Sequence, residues 1–248
     1  MSTNRRIYIG LAITAIVFLL SILVARWYDT GIDFIPNSFV THTTMLILSI
    51  LVIILLGPQV NYVIKWPSLR KTLMPILLGI VVSIAINIIL TVITNAIGGK
   101  VEAHPVLAKI SPLQTFLFVF IYASIAEEML FRGFLQNILK PLASKGISIS
   151  GRKISLPVII SAVLFGLSHL ILLTAGSGAI FVARIVIFTM TLGVLAGYYQ
   201  EKYNNNVFAI IVHMSGNLMG VVGSLLMSLN PQKQSTIAPN FQAVNGKL

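Results

Sequence analysis

Apolar residues run along this chain in seven long blocks, separated by short polar breaks. The blocks cover about residues 7–25, 41–63, 73–97, 113–131, 156–174, 179–199 and 207–229. About 20 apolar residues in a helix cross the hydrocarbon of a bilayer. Each block therefore predicts a membrane-spanning helix. In the fourth, the helical pattern continues through FRGFLQNILK to about Lys140. The first block follows Arg5 and Arg6 as a signal peptide would. Its apolar stretch is long for one, however, and Arg26-Trp27-Tyr28 reads as an interfacial anchor, so we read it as a retained span. Residues 140–155 (KPLASKGISISGRKIS) read as a basic, Gly/Ser-rich loop, and 230–248 as a polar, flexible tail. No repeat and no interdomain linker divides the chain. The pattern predicts an all-α fold: one polytopic transmembrane helical bundle over 1–248, with N-terminal spans in 1–112 and the unusual polar residues concentrated in 113–229.

Composition fits that class. Of 248 residues, 56% are hydrophobic and 9% charged, whereas a soluble domain carries roughly 25% charged residues. The absence of cysteine excludes disulfides, thiolate metal sites and cysteine nucleophiles. A net charge of +11 suggests nucleic acid at first sight. The basic residues instead sit in short loops between apolar blocks, which is a topology signal, so we expect the bilayer and no nucleic acid as partner. Arg5, Arg6, Lys65, Arg70, Lys71 and the cluster from Lys140 to Lys153 fall on one side; Arg26, Lys100 and Lys109 fall on the other. This bias predicts a multi-pass protein with a cytoplasmic N-terminus. Seven spans put the C-terminus outside, and an eighth would reverse it.

Ionisable side chains inside a span cost about 2.5–3.5 kcal/mol each, which makes every one a candidate functional residue. Glu127, Glu128, His169, Arg184 and His213 are embedded, Arg132 closes the fourth block, and Asn87, Asn95 and Asn217 are amides nearby. Glu128 and Arg132 are spaced i, i+4, so they share a helix face and can pair. Glu127 is rotated about 100° from Glu128 and points elsewhere. One carboxylate can thus be held by arginine while its neighbour faces a cavity, as a catalytic base with a supporting shell would. Phe165 and His169 also lie one turn apart, as do His213 and Asn217. A His/Asn pair can donate to a developing oxyanion, or can simply glue helices together. The three stretches offer a kit for activating water and stabilising a tetrahedral intermediate. One Glu and two His can equally make a three-ligand metal site with an open position. No HExxH occurs.

In order, EEMLFR (127–132), FGLSH (165–169) and HMSGN (213–217) resemble the EExxxR, FxxxH and HxxxN motifs of the CPBP family, the CAAX-protease and bacteriocin-processing membrane proteins, also called Abi or Rce1-like. The resemblance covers about 113–229 and departs at no motif position. It implies a CAAX-protease-like core and an intramembrane endopeptidase acting on a membrane-associated peptide or protein. By the same resemblance, Glu127 and His169 activate water, His213 and Asn217 stabilise the oxyanion, and Glu128, Arg132 and Phe165 support them. The family is described both as glutamate-dependent and as metal-dependent. A divalent metal such as zinc, with Glu127, His169 and His213 as candidate ligands, and a metal-free glutamate mechanism both stay open. Short loops and compact size look bacterial. That implies a bacterial cell membrane and a role in peptide maturation or bacteriocin immunity. Three other readings compete: a rhomboid-like serine protease using Ser168 and His213, a proton-coupled transporter, and a non-catalytic membrane scaffold.

Overall fold

The structure, a computed structural model, describes residues 1–102, 109–149 and 151–229. Among the described residues, seven helices are long and apolar enough to cross a membrane: α1 (Thr3–Trp27), α2 (Asn37–Leu55), α3 (Leu69–Ala96), α4 (Pro112–Gln136), α5 (Leu156–Leu173), α6 (Ala179–Tyr203) and α7 (Val207–Leu229). They form a polytopic helical bundle, as the pattern predicts. The polar tail expected over 230–248 lies outside the described residues.

Two boundaries differ from the expected ones. The apolar pattern of the second block runs to residue 63, but α2 stops at Leu55. Gly57 and Pro58 begin a separate turn, Gly57–Val60, which Asn61 closes in the left-handed region at φ 50°. Residues 61–68 then run without regular structure. Hydropathy alone misses this break because Val60, Val63 and Ile64 keep the window apolar. The segment read as a plain loop over 140–155 contains an antiparallel hairpin, β1 (Gly146–Ile149) and β2 (Arg152–Ser155). Its register pairs Ile147 with Ile154 and Ile149 with Arg152. The alternating Ile/Ser pattern carried that signal, and Gly151 at φ +73° turns the chain.

α4 is the axis of the bundle. It shares with α6 the largest buried fraction, 39% each, against 17% for α3, which faces mostly outward. α4 is not a uniform α-helix. Thr115–Ala123 and Met129–Gln136 are wound as π-helix, flanking a short α-helical segment, Ser124–Glu128. Wide windings of this kind recur at functional sites. From Met129 to Gln136 every residue of α4 is buried. Leu130, Phe134 and Leu135 pack there in one apolar cluster with Val17 of α1, Met45 of α2 and Phe165 of α5.

Lipid tails are as apolar as leucine, so hydrophobicity alone does not join the helices; close packing and polar contacts do. At Gly79 of α3 an added Cβ would meet Ser215 of α7 at 2.7 Å, so the two backbones touch there. The Ser83 hydroxyl donates to the Gly216 carbonyl at 3.1 Å beside it. At the other end of α4, Gln136 donates to Gln200 (2.7 Å) and to the Gly197 carbonyl (2.9 Å), and Gln200 donates to Asn137 (2.9 Å). This amide ladder pins α4 against α6. The embedded Arg184 stands apart from it. It donates to the hydroxyls of Thr94 (3.0 Å) and Thr91 (3.1 Å) and so ties α6 to α3.

Candidate active site

The adjacent glutamates of α4 have opposite surroundings. Glu128 and Arg132 are both 0% exposed. Glu128 Oε1 accepts from Arg132 Nη1 at 2.8 Å and from His213 Nδ1 at 2.8 Å. A buried carboxylate without compensation would be strongly unfavourable, so this double pairing is what allows it to sit there. The side chain of Glu127 keeps 17% exposure. Its Oε2 lies 3.6 Å from His213 Nε2. The i, i+4 pair thus stands as the helix geometry predicts, while Glu127, expected to point elsewhere, shares His213 with Glu128 and differs from it in exposure and in its other partner.

Phe165 explains why an aromatic precedes the histidine of α5. The Arg132 guanidinium lies over its ring, 4.6 Å from the centroid. Its edge contacts reach His169 (5.2 Å) and His213 (5.4 Å). One ring therefore sets the spacing of a cation and two imidazoles. The His169 Nδ1 lies 2.9 Å from the Phe165 carbonyl. A carbonyl only accepts, so Nδ1 carries the proton, and in the neutral ring Nε2 is left as an acceptor. Glu127 lies within electrostatic reach of His169 as well as of His213. Glu127, His169 and His213 therefore converge from α4, α5 and α7.

Asn217 sits one turn beyond His213, but its amide points into α4. It donates to Ser124 Oγ (3.1 Å) and, more weakly, to the Val119 carbonyl (3.4 Å). As placed, it fixes α7 on α4 just before the glutamates. Ser168 is engaged within its own helix turn. Its hydroxyl donates to the Phe165 carbonyl (2.7 Å) and has His169 Nδ1 at 3.5 Å. A Ser168–His213 dyad is therefore not assembled.

Two contributors have no counterpart in the sequence reading. His42 of α2 places Nε2 3.2 Å from Glu127 Oε1. Gly193 of α6 makes room for the arginine, since a Cβ there would come 2.5 Å from Arg132 Nη2. His42 lies near the start of a span among threonines, where a polar residue raises no alarm. A glycine in a transmembrane helix is equally ordinary.

Among the described residues, no group of three His, Cys, Asp or Glu side chains is arranged to hold an ion. Both ring nitrogens of His213 face carboxylates, so the candidate ligands Glu127, His169 and His213 do not present a common vacant vertex in this arrangement.

Two carboxylates face one guanidinium, and the three imidazoles of His42, His169 and His213 surround the carboxylate that is left over. A dry interior favours balancing that charge with one proton held among Glu127 and its imidazoles.

Fold and site define a multi-pass helical membrane protein with a buried Glu/Arg pair, a half-open glutamate and convergent histidines. Residues 109–219 match the family model of the type II CAAX prenyl endopeptidase Rce1-like proteins. The matched segment carries all three motifs. No curated protein and no solved structure matches the chain.

Proposed function

We propose that this chain is an intramembrane endopeptidase that hydrolyses a peptide bond in a membrane-associated peptide or protein. The observation that carries the reading is the unequal treatment of two adjacent carboxylates. Glu128 is sealed and charge-compensated, while Glu127 is half-open and ringed by imidazoles. A structural ion pair needs the first and has no use for the second. The Rce1-like match over the same residues supports the reaction class.

In this mechanism Glu127 takes a proton from a water that enters beside it, with His169 Nε2 accepting the second hydrogen of that water. The hydroxide attacks the scissile carbonyl. His213 carries the one proton that the site holds, so as an imidazolium it donates from Nε2 to the oxyanion while its Nδ1–H stays bonded to Glu128 and fixes its orientation. Asn217 adds a second donor by turning its amide from Val119, the weaker of its two partners. Collapse of the tetrahedral intermediate breaks the C–N bond, and Glu127 returns its proton to the leaving amine. We further propose a bacterial cell membrane, a cytoplasmic N-terminus and a role in peptide maturation or bacteriocin immunity. The charge bias and compact loops support these assignments.

Comparative peptidomics tests the assignment. Cells expressing Glu127→Ala, His169→Ala or His213→Ala at wild-type membrane levels should each accumulate the same uncut membrane peptide. Normal processing by all three variants would sink it.

A further inference from the structure

Glu127 has a third imidazole neighbour, His42, and it comes from outside the segment that matches the Rce1-like model. We propose that His42 of α2 is a positioning residue for Glu127, holding one carboxylate oxygen so that the other faces His169 and His213. This deepens the endopeptidase reading and rests on it.

Three observations carry the inference. The first is the contact itself. His42 Nε2 and Glu127 Oε1 are 3.2 Å apart, and the two side chains are only 14% and 17% exposed. An ionised carboxylate only accepts, so the imidazole donates from Nε2. Glu127 Oε2 is then the oxygen turned toward His213 Nε2, at 3.6 Å. The two oxygens are thereby distinguished, one anchored and one working.

The second concerns the rest of the imidazole. His42 Nδ1 is buried and has no hydrogen-bond partner among the described residues. Burying a ring nitrogen without a partner is unfavourable. A residue needed only to pack α2 against α4 would be apolar. The bond to Glu127 is what a histidine supplies here and leucine does not.

The third is the clamp that sets the ring. Phe39, His42 and Thr43 share one face of α2 at i, i+3, i+4 spacing. Phe39 stacks on Tyr122 with centroids 4.9 Å apart and meets Phe118 edge-on at 5.5 Å. The Thr43 hydroxyl donates to the Phe39 carbonyl (2.7 Å) and accepts from Tyr122 (2.8 Å). These contacts dock the face onto α4 just before Ser124–Glu128. His42 is therefore delivered to Glu127 by packing on both sides of it in sequence, not by a loose side chain reaching across. A glutamate has three rotatable side-chain bonds, and misplacing a reacting group by about 1 Å can cost roughly 100-fold in rate. Anchoring one oxygen from a neighbouring helix removes that freedom.

The test reads the initial rate at which native membranes cleave the peptide that accumulates in Glu127→Ala cells. Wild type is compared with His42→Leu, His42→Gln and Glu127→Gln at matched membrane levels and with thermal unfolding recorded. Glutamine places an N–H close to the Nε2 position, whereas leucine fills the space and donates nothing. His42→Leu should lose about 10- to 100-fold in rate, and His42→Gln should stay within about threefold of wild type, the donor being retained. If His42→Leu fails to accumulate, His42→Asn replaces it. Its donor falls short of Glu127, and the same loss is expected. A wild-type rate in the Leu or Asn variant overturns the inference. So does a His42→Gln rate as low as that of His42→Leu with both proteins folded, because a role in packing alone would give that result. Glu127→Gln cleaving like wild type brings down the endopeptidase reading itself. Loss in Glu127→Gln alone, with every His42 variant active, overturns only the role of His42.

Discussion

Glu128 and Arg132 form a pair that is fully sealed, yet not fully satisfied. Glu128 Oε2 and Arg132 Nε and Nη2 have no hydrogen-bond partner among the described residues. The pair therefore depends on mutual attraction, on His213 and on the Phe165 ring. Removing one member leaves the other charge buried alone, which typically costs about 3–5 kcal/mol. Arg132→Met should accordingly lower the unfolding temperature in detergent and reduce membrane accumulation. Adding Glu128→Gln to Arg132→Met should restore much of the stability, because no lone charge remains, but not turnover, because His213 loses its orienting carboxylate. A double variant as unstable as Arg132→Met would show that the pair is held by something other than charge compensation.

At the scale of the elements, the site depends on α6, which contributes no catalytic group. Gly193 leaves space for the Arg132 guanidinium, and Gly197 lies against Gln136. Gly193→Ala would place a methyl 2.5 Å from Arg132 Nη2 and 3.3 Å from the Ala162 Cα of α5. Overfilling of this kind typically costs about 1–3 kcal/mol. It should also push Arg132 from Glu128 and lower turnover about tenfold or more, read as the rate of peptide loss in matched membranes. This is the part of the site that the sequence hides. Glu127, Glu128, His169 and His213 are legible because ionisable groups are costly within apolar blocks, and their one-turn spacings predict the faces they share. Gly193 carries no such signal, since its role exists only once α4, α5 and α6 are packed. His42 falls beside Thr41, Thr43 and Thr44 near a span end, where a polar residue needs no explanation. The π-helical winding of α4 over Thr115–Ala123 and Met129–Gln136 likewise left no signal in the apolar pattern. The hairpin over 146–155 was legible in its Ile/Ser alternation, but its glycines and basic residues equally suit a plain loop.

For the whole molecule, four spans separate the N-terminus from the β-hairpin, so both lie on one side of the membrane. One span separates the N-terminus from the loop after α1, which lies on the other. On the topology proposed above, the N-terminal side, with its excess of Lys and Arg, faces the cytoplasm. The chain has no cysteine, so single cysteines report topology without background. Ser2→Cys and Ser148→Cys should resist an impermeant thiol reagent until the membrane is opened, while Ile32→Cys should react in intact cells. Opposite labelling of Ser2→Cys and Ser148→Cys would require a different number of crossings between them. The bundle also shows why the Rce1-like segment is not the whole site. It ends in α7 and begins just before α4, whereas α2 lies against the glutamate-bearing part of α4 and brings His42 to it.

The central claim is that water attacks a peptide bond at Glu127 inside the membrane. The most direct measurement is isotopic. Native membranes containing wild type, Glu127→Gln or Ser168→Ala are incubated in oxygen-18 water, and the new C-termini of membrane peptides are read by mass spectrometry. Hydrolysis puts one solvent oxygen into the carboxylate it creates. A labelled C-terminus formed by wild type and by Ser168→Ala, and missing in Glu127→Gln, is the predicted result. The same labelled peptide formed by Glu127→Gln at the wild-type rate would contradict the account.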